Sequence, residues 1–122
     1  MNLKKTIVIG ASPKPERYSY KAVTLLNRYK QPVIALGIRK GNINGIEIIM
    51  GRPHVENIHT VTLYIGPDRQ IDYYDYILSL KPKRIIFNPG TENPELIELA
   101  QENNIEKLEN LIESFKQINY LG

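Results

Sequence analysis

The sequence predicts a three-layer α/β fold: a mainly parallel sheet of about five to six strands with helices on both faces. Two observations carry this. Short apolar runs rich in β-branched residues alternate with stretches of helical spacing along the whole 122-residue chain. Gly, Pro and Asn punctuate the junctions between them. Strands joined by helices pair in parallel and are covered on both sides. No linker, repeat or low-complexity tract divides the chain, so residues 1–122 are expected to form one domain.

The elements follow in order. Residues 6–9 (Thr-Ile-Val-Ile) read as a buried strand. Residues 19–29 read as a helix, with Ala22, Val23, Leu26 and Tyr29 at helical spacing. Gln31-Pro32 breaks it, and residues 33–36 form a second strand. Gly41, Asn44 and Gly45 mark a loop, and residues 46–50 a short edge strand stopped by Gly51 and Pro53. Residues 60–65 form a central strand ended by Gly66-Pro67. Residues 68–80 read as one helix with Ile71, Tyr74, Ile77 and Leu78 on its inner face. Lys81-Pro82 ends it, and residues 84–87 are the next strand. Asn93-Pro94 supplies a cap and a first-turn proline for a helix within residues 91–104, with Leu96, Ile97, Leu99 and Ala100 inward. The tail reads best as a strand over 105–109 followed by a helix capped by Asn110 and Glu113. One continuous helix through Leu108, Leu111, Phe115 and Ile118 fits the same residues.

Composition narrows the function. The chain has no cysteine, which excludes disulfides, thiolate metal sites and a cysteine nucleophile and suits a cytoplasmic setting. No run of about 18 apolar residues is present, and the first apolar stretch is too short for a signal peptide. The net charge of +3 suits a small anionic ligand. Basic residues are scattered, and the densest cluster, Lys81-Pro82-Lys83-Arg84, reads as a solvated turn or a phosphate patch. Nucleic acid and membrane are not expected partners. His54 and His59 are not spaced as a metal pair and read as surface residues. Tyr74 reads as core; Tyr73 and Tyr76 read as half-exposed or at a subunit contact.

In a parallel sheet, ligands sit outside the carboxyl ends of the strands, where strand order reverses. The first loop reads Gly10-Ala11-Ser12-Pro13-Lys14-Pro15 and leads to a helix, so backbone N–H groups and a helix N-terminus converge there. Gly10 serves the tight turn, and Ser12, Arg17 and Ser19 add donors. It is neither the G-x-G-x-x-G fingerprint nor a Walker loop, and a plain strand–helix connection uses the same residues. After the second strand stands Leu36-Gly37-Ile38-Arg39-Lys40, with two cations and no acid. That opposes NAD and favours an extra ribose phosphate, as in NADP or coenzyme A; a solvated loop is the alternative. Gly66-Pro67 and Asn88-Pro89-Gly90-Thr91 complete the set, either as cleft wall or as turn chemistry. Glu92 has no partner His or nucleophile beside it, and no catalytic residue is assigned.

The stretch Gly10-Ala11-Ser12-Pro13-x-Pro15-Glu16-Arg17-Tyr18-Ser19-Tyr20 resembles the opening motif of stand-alone CoA-binding domain proteins. These are Rossmann-like proteins similar to the CoA-binding domain of the succinyl-CoA synthetase α subunit. The resemblance runs through Lys40 and resumes at residues 88–93. It implies non-catalytic binding of coenzyme A or acyl-CoA. By the match, Gly10, Ala11, Ser12 and Ser19 cradle the pyrophosphate, with Pro13, Arg17 and Tyr20 in the same motif. Arg39 and Lys40 lie near the adenosine 3′-phosphate; Gly66, Pro67, Asn88, Pro89 and Gly90 line the cleft. Two places depart from the pattern: Thr62-Leu63-Tyr64-Ile65 replaces an acidic-valine-phenylalanine-arginine type stretch, and residues 107–122 differ. An NADP-binding oxidoreductase-like protein and a ligand-free interaction module remain as alternatives, and a homodimer or a client acyl-CoA enzyme as partners.

Overall fold

Alternation along the central strands sorts the core into two layers. The computed structural model describes residues 3–116. Within them, β1 (Thr6–Ile9), β2 (Val33–Leu36), β5 (Thr60–Leu63) and β6 (Arg84–Phe87) pair in parallel as the middle of the sheet. Ile7, Ile9, Leu36, Val61, Leu63, Ile85 and Phe87 face one side, and Val8, Ala35 and Ile86 the other. Buried strands of this kind read as near-continuous apolar runs because both faces are covered. The first face packs under α3 (Tyr74–Ser79) and α4 (Pro94–Glu102), and the short α2 (Pro67–Gln70) leads into α3. The second packs under α1 (Tyr18–Arg28) and α5 (Leu111–Lys116), which meet where Tyr29 lies 4.9 Å from Phe115.

The described residues form seven strands in the order β3-β4-β2-β1-β5-β6-β7, more than the sequence suggested. The added strand is β3 (Asn42–Ile43), which pairs antiparallel with β4 (Ile46–Ile49). Asn44 and Gly45 join them at φ 48° and 94°, the geometry of a type I′ hairpin turn. So β4 is not the edge; β3 is. From β4 the chain returns to the amino end through an irregular strap, residues 50–59, where a crossover helix is usual. Tyr76 holds that strap through a 2.7 Å bond from its hydroxyl to the Pro53 carbonyl, and Arg52 lies 4.4 Å over the Tyr73 ring. The tyrosines thus serve a contact within the chain.

The helix expected over 68–80 is broken. A 3₁₀ turn at Ile71–Tyr73 separates α2 from α3, and Ile71 is exposed rather than inward. The cause is Gln70, fully buried, whose amide donates to the carbonyls of Ile65 (2.9 Å) and Thr91 (2.8 Å). Turning Gln70 inward puts Ile71 outward, and the tighter turn resets the phase so that Ile77 reaches the core. The tail follows the strand-then-helix reading: β7 (Glu106–Glu109) pairs with β6, and Asn110 Oδ1 accepts from the Glu113 N–H at 3.2 Å. Ile118 lies outside the described residues.

His59 is half-buried at the amino end of the sheet, not on the surface. Thr60 Oγ1 accepts from Arg84 Nε (2.8 Å) and lies 2.7 Å from His59 Nδ1, which suits a neutral ring. Burial, then the charges of Arg84, Lys4 and Lys83, hold its pKa down to about 4 from the ordinary 6.5. Between those values the unfolded chain binds the extra proton, so this group's contribution is present above about pH 6.5 and lost as pH falls toward 4. Solvent exposure reduces the loss to about 1–2 kcal/mol. His59→Gln is expected to melt with a shallower decline over that pH range. Parallel melting profiles for the two proteins would show that His59 titrates normally.

Candidate functional site

The carboxyl ends of β1, β2, β5 and β6 open into a cleft of about 470 Å³. The chain leaves β1 toward β2 on one side and returns to β5 on the other, so the cleft lies at the reversal of strand order. Its volume is in the range of small-molecule sites.

The first loop forms the floor. Gly10 turns at φ 97°, and its N–H and that of Ala11 both donate to the Leu36 carbonyl at 2.9 and 2.8 Å. Those two amides are therefore bound into the sheet rather than aimed at the cleft. Among the N–H groups that remain are those at the start of α1: Tyr18, Ser19 and Tyr20 have no carbonyl one turn back within the helix, and Arg17 caps it without a side-chain bond. No acid stands in that first turn. Ser12 Oγ accepts from the Lys14 N–H at 3.2 Å, which leaves its own hydroxyl hydrogen free to point outward.

The second loop, residues 37–41, packs directly onto the first. A Cβ at Gly37 would lie 2.4 Å from the Ala11 carbonyl oxygen, and one at Gly41 2.6 Å from Pro13. Only glycine permits this approach. It brings Arg39 and the exposed Ile38 to the cleft beside Lys14, Arg17 and Tyr18.

The third and fourth loops form the other wall. Buried Gln70 ties the Ile65 and Thr91 carbonyls together and accepts from Asn93 Nδ2 at 2.8 Å. The same amide group of Asn93 donates to the Tyr74 hydroxyl, while Asn93 Oδ1 caps α4 by accepting from Glu95 and Leu96 N–H. Burial raises the Tyr74 pKa above its ordinary value, against the Asn93 bond. This polar network is fully engaged, which makes the wall stiff. Gly66, Arg69, Pro89, Gly90 and Thr91 present its surface.

Of the residues expected from the sequence, Gly10, Ala11, Ser12, Pro13, Arg17, Ser19, Arg39, Gly66, Pro89 and Gly90 line the cleft. Four do not. Tyr20, on α1, is half-buried against the second layer of the core. Lys40 is exposed on the loop toward β3, outside the lining. Pro67 starts α2. Asn88 is buried below the cleft: its Nδ2 donates to Thr62 Oγ1 (2.8 Å) and the Leu63 carbonyl (2.7 Å), and its Oδ1 accepts from Leu111 N–H (2.9 Å). Lys14, Tyr18, Ile38 and Thr91, in loops the sequence marks, line the cleft as well, and so do Tyr64, Ile65 and Arg69, which it does not mark. Arg69 stands in the first turn of the helix that follows the Gly66-Pro67 loop. The four charged lining residues are Lys14, Arg17, Arg39 and Arg69, all basic. Among the described residues no group of three or more His, Cys, Asp or Glu is placed to hold a metal ion, and no helix is long and apolar enough to cross a membrane.

Comparison with known proteins fits this geometry. A structure described as an uncharacterized protein is 45% identical, with a TM-score of 0.93 over 98% of this chain and 99% of that one. A hypothetical protein from Pyrococcus horikoshii OT3 is 23% identical, with a TM-score of 0.81 over 93% of this chain and 83% of that one. A Thermus thermophilus structure is 18% identical, with a TM-score of 0.82 over 93% and 90%. The latter two speak for the Rossmann-like fold alone. No curated protein matches. The model of the CoA binding domain family matches residues 4–112, nearly the whole described chain. With a basic cleft at the strand-order reversal and a family match across the sheet that builds it, the chain belongs to the CoA binding domain family.

Proposed function

We propose that the cleft holds coenzyme A or an acyl-CoA and that the protein binds this cofactor without transforming it. One observation carries the reading: the charged lining residues among those described are all basic, and three of them, Lys14, Arg17 and Arg39, stand at the β1–β2 end beside the start of α1, whose first N–H groups have no intrahelical partner. Such a site attracts several phosphates at once. In this reading the pyrophosphate lies over Ser12 and the first turn of α1, with Lys14 and Arg17 beside it. Arg39 takes the adenosine 3′-phosphate, and Tyr18 and Ile38 flank the base at the mouth. The pantetheine arm crosses toward Gly66 and Gly90. Among the described residues the lining holds no His, Asp or Glu.

Calorimetry with coenzyme A, its dephospho form lacking the 3′-phosphate, and NADPH tests this. One charge-assisted contact at Arg39 makes dephospho-CoA about ten-fold weaker than coenzyme A, and Arg39→Gln is expected to erase the difference. Equal affinities in the wild-type protein would remove Arg39 from the phosphate site. Failure of every nucleotide to bind would end the reading.

A further inference from the structure

The basic residues of the cleft are not in one place. Lys14, Arg17 and Arg39 follow β1 and β2, whereas Arg69 stands beyond β5, among Gly66, Gly90 and Thr91. The order β2-β1-β5-β6 places β5 two strand spacings from β2, about 10 Å across the sheet. A nucleotide bound at the first group leaves Arg69 facing the opposite end of an extended ligand. Arg69 is exposed and makes neither of the ion pairs formed among the described residues. The nearest acids in sequence, Asp68 and Asp72, do not line the cleft; nor does Glu92, whose Oε1 accepts from the Gly90 N–H at 2.8 Å.

A second observation points the same way. The large exposed apolar side chains of the cleft, Tyr18 and Ile38, are both at the β1–β2 end. The β5–β6 end adds Tyr64 and Ile65 to glycine, proline, threonine and a guanidinium, but Ile65 is buried and Tyr64 half-buried, so little apolar surface is exposed there to hold an alkyl chain. A wall with little exposed apolar surface and one cation suits a short group that ends in an anion.

We infer that the preferred ligand is a dicarboxylic acyl ester of coenzyme A, with Arg69 reading the free carboxylate at the end of the acyl group. The inference rests on the coenzyme A reading above. It makes Arg69 a specificity residue: it adds affinity for the acyl group and none for the nucleotide.

The test is calorimetry of wild-type protein and Arg69→Gln with coenzyme A, acetyl-CoA, malonyl-CoA and succinyl-CoA. The wild type is expected to bind malonyl- or succinyl-CoA about ten-fold more tightly than acetyl-CoA. Arg69→Gln loses that preference and keeps wild-type affinity for coenzyme A itself. Equal wild-type affinities for all the esters overturn the inference, as does a preference that survives in Arg69→Gln. A variant that loses coenzyme A along with the esters also overturns it, because Arg69 would then be a phosphate contact. Those three results leave the coenzyme A reading standing. Failure of the wild type to bind any of the four compounds instead overturns the coenzyme A reading itself, and this inference with it.

Discussion

Asn88→Ala is expected to lower the melting temperature by about 10 °C, a loss of about 3 kcal/mol. Asn88 is buried, and its amide makes three hydrogen bonds: to the Thr62 hydroxyl, to the Leu63 carbonyl, and from the Leu111 N–H. Alanine leaves all three partners in a space that admits little water. Each orphaned group costs about 1–3 kcal/mol, partly recovered by relaxation. The loss joins two regions far apart in sequence, because Asn88 ties β5 and β6 to the start of α5. Asn88→Asp keeps the acceptor for Leu111 but sets a buried carboxylate oxygen against the Leu63 carbonyl, so it is expected to destabilise at least as much as alanine. A shift under about 3 °C in thermal denaturation of Asn88→Ala would show that water replaces the side chain.

Gly37→Ala is expected to damage both stability and binding. The new Cβ would sit 2.4 Å from the Ala11 carbonyl oxygen and 2.9 Å from Ile48 Cγ2. The oxygen belongs to backbone, so the two loops must separate. Overpacking of this kind costs about 2 kcal/mol. The separation carries Arg39 away from Ser12 and α1, and coenzyme A affinity is expected to fall about ten-fold or more, the equivalent of one misplaced charged contact. Gly10→Ala acts in the same direction through a different cause. Its φ of 97° disfavours any side chain, and its Cβ would lie 3.0 Å from the Tyr64 backbone. Wild-type melting and affinity in Gly37→Ala would mean that the loops do not seat each other.

These two residues mark how far the sequence could be read. Asn88 stood in a Pro-Gly turn and looked like a cleft donor. Its role depends on Thr62, Leu63 and Leu111, none of which is near it in the chain. Gly37 looked like an ordinary strand end, and its necessity comes from the Ala11 carbonyl across the sheet. Arg69 was legible as a cation but not as a cleft residue, because what sets α2 against the loop after β6 is buried Gln70 reaching the distant Thr91 carbonyl. The Asn44-Gly45 pair did carry a hairpin signal, and the two-residue strand before it was too short to register as periodicity.

Local chemistry by itself determined the elements: apolar runs made the strands, spacing placed the helices around α1 and α4, and Asn93 and Asn110 marked their caps. The order of elements with short connections determined a parallel sheet, and that directed attention to the loops at its carboxyl end. Only the tertiary structure decided which side chains in those loops face outward. Hydrogen bonds between distant carbonyls and amides consumed Gly10, Ala11, Gln70 and Asn88, and the donors left over, with four basic side chains, became the cleft. Pairing between remote partners leaves no periodic trace in a chain, which is why it had to be seen in three dimensions.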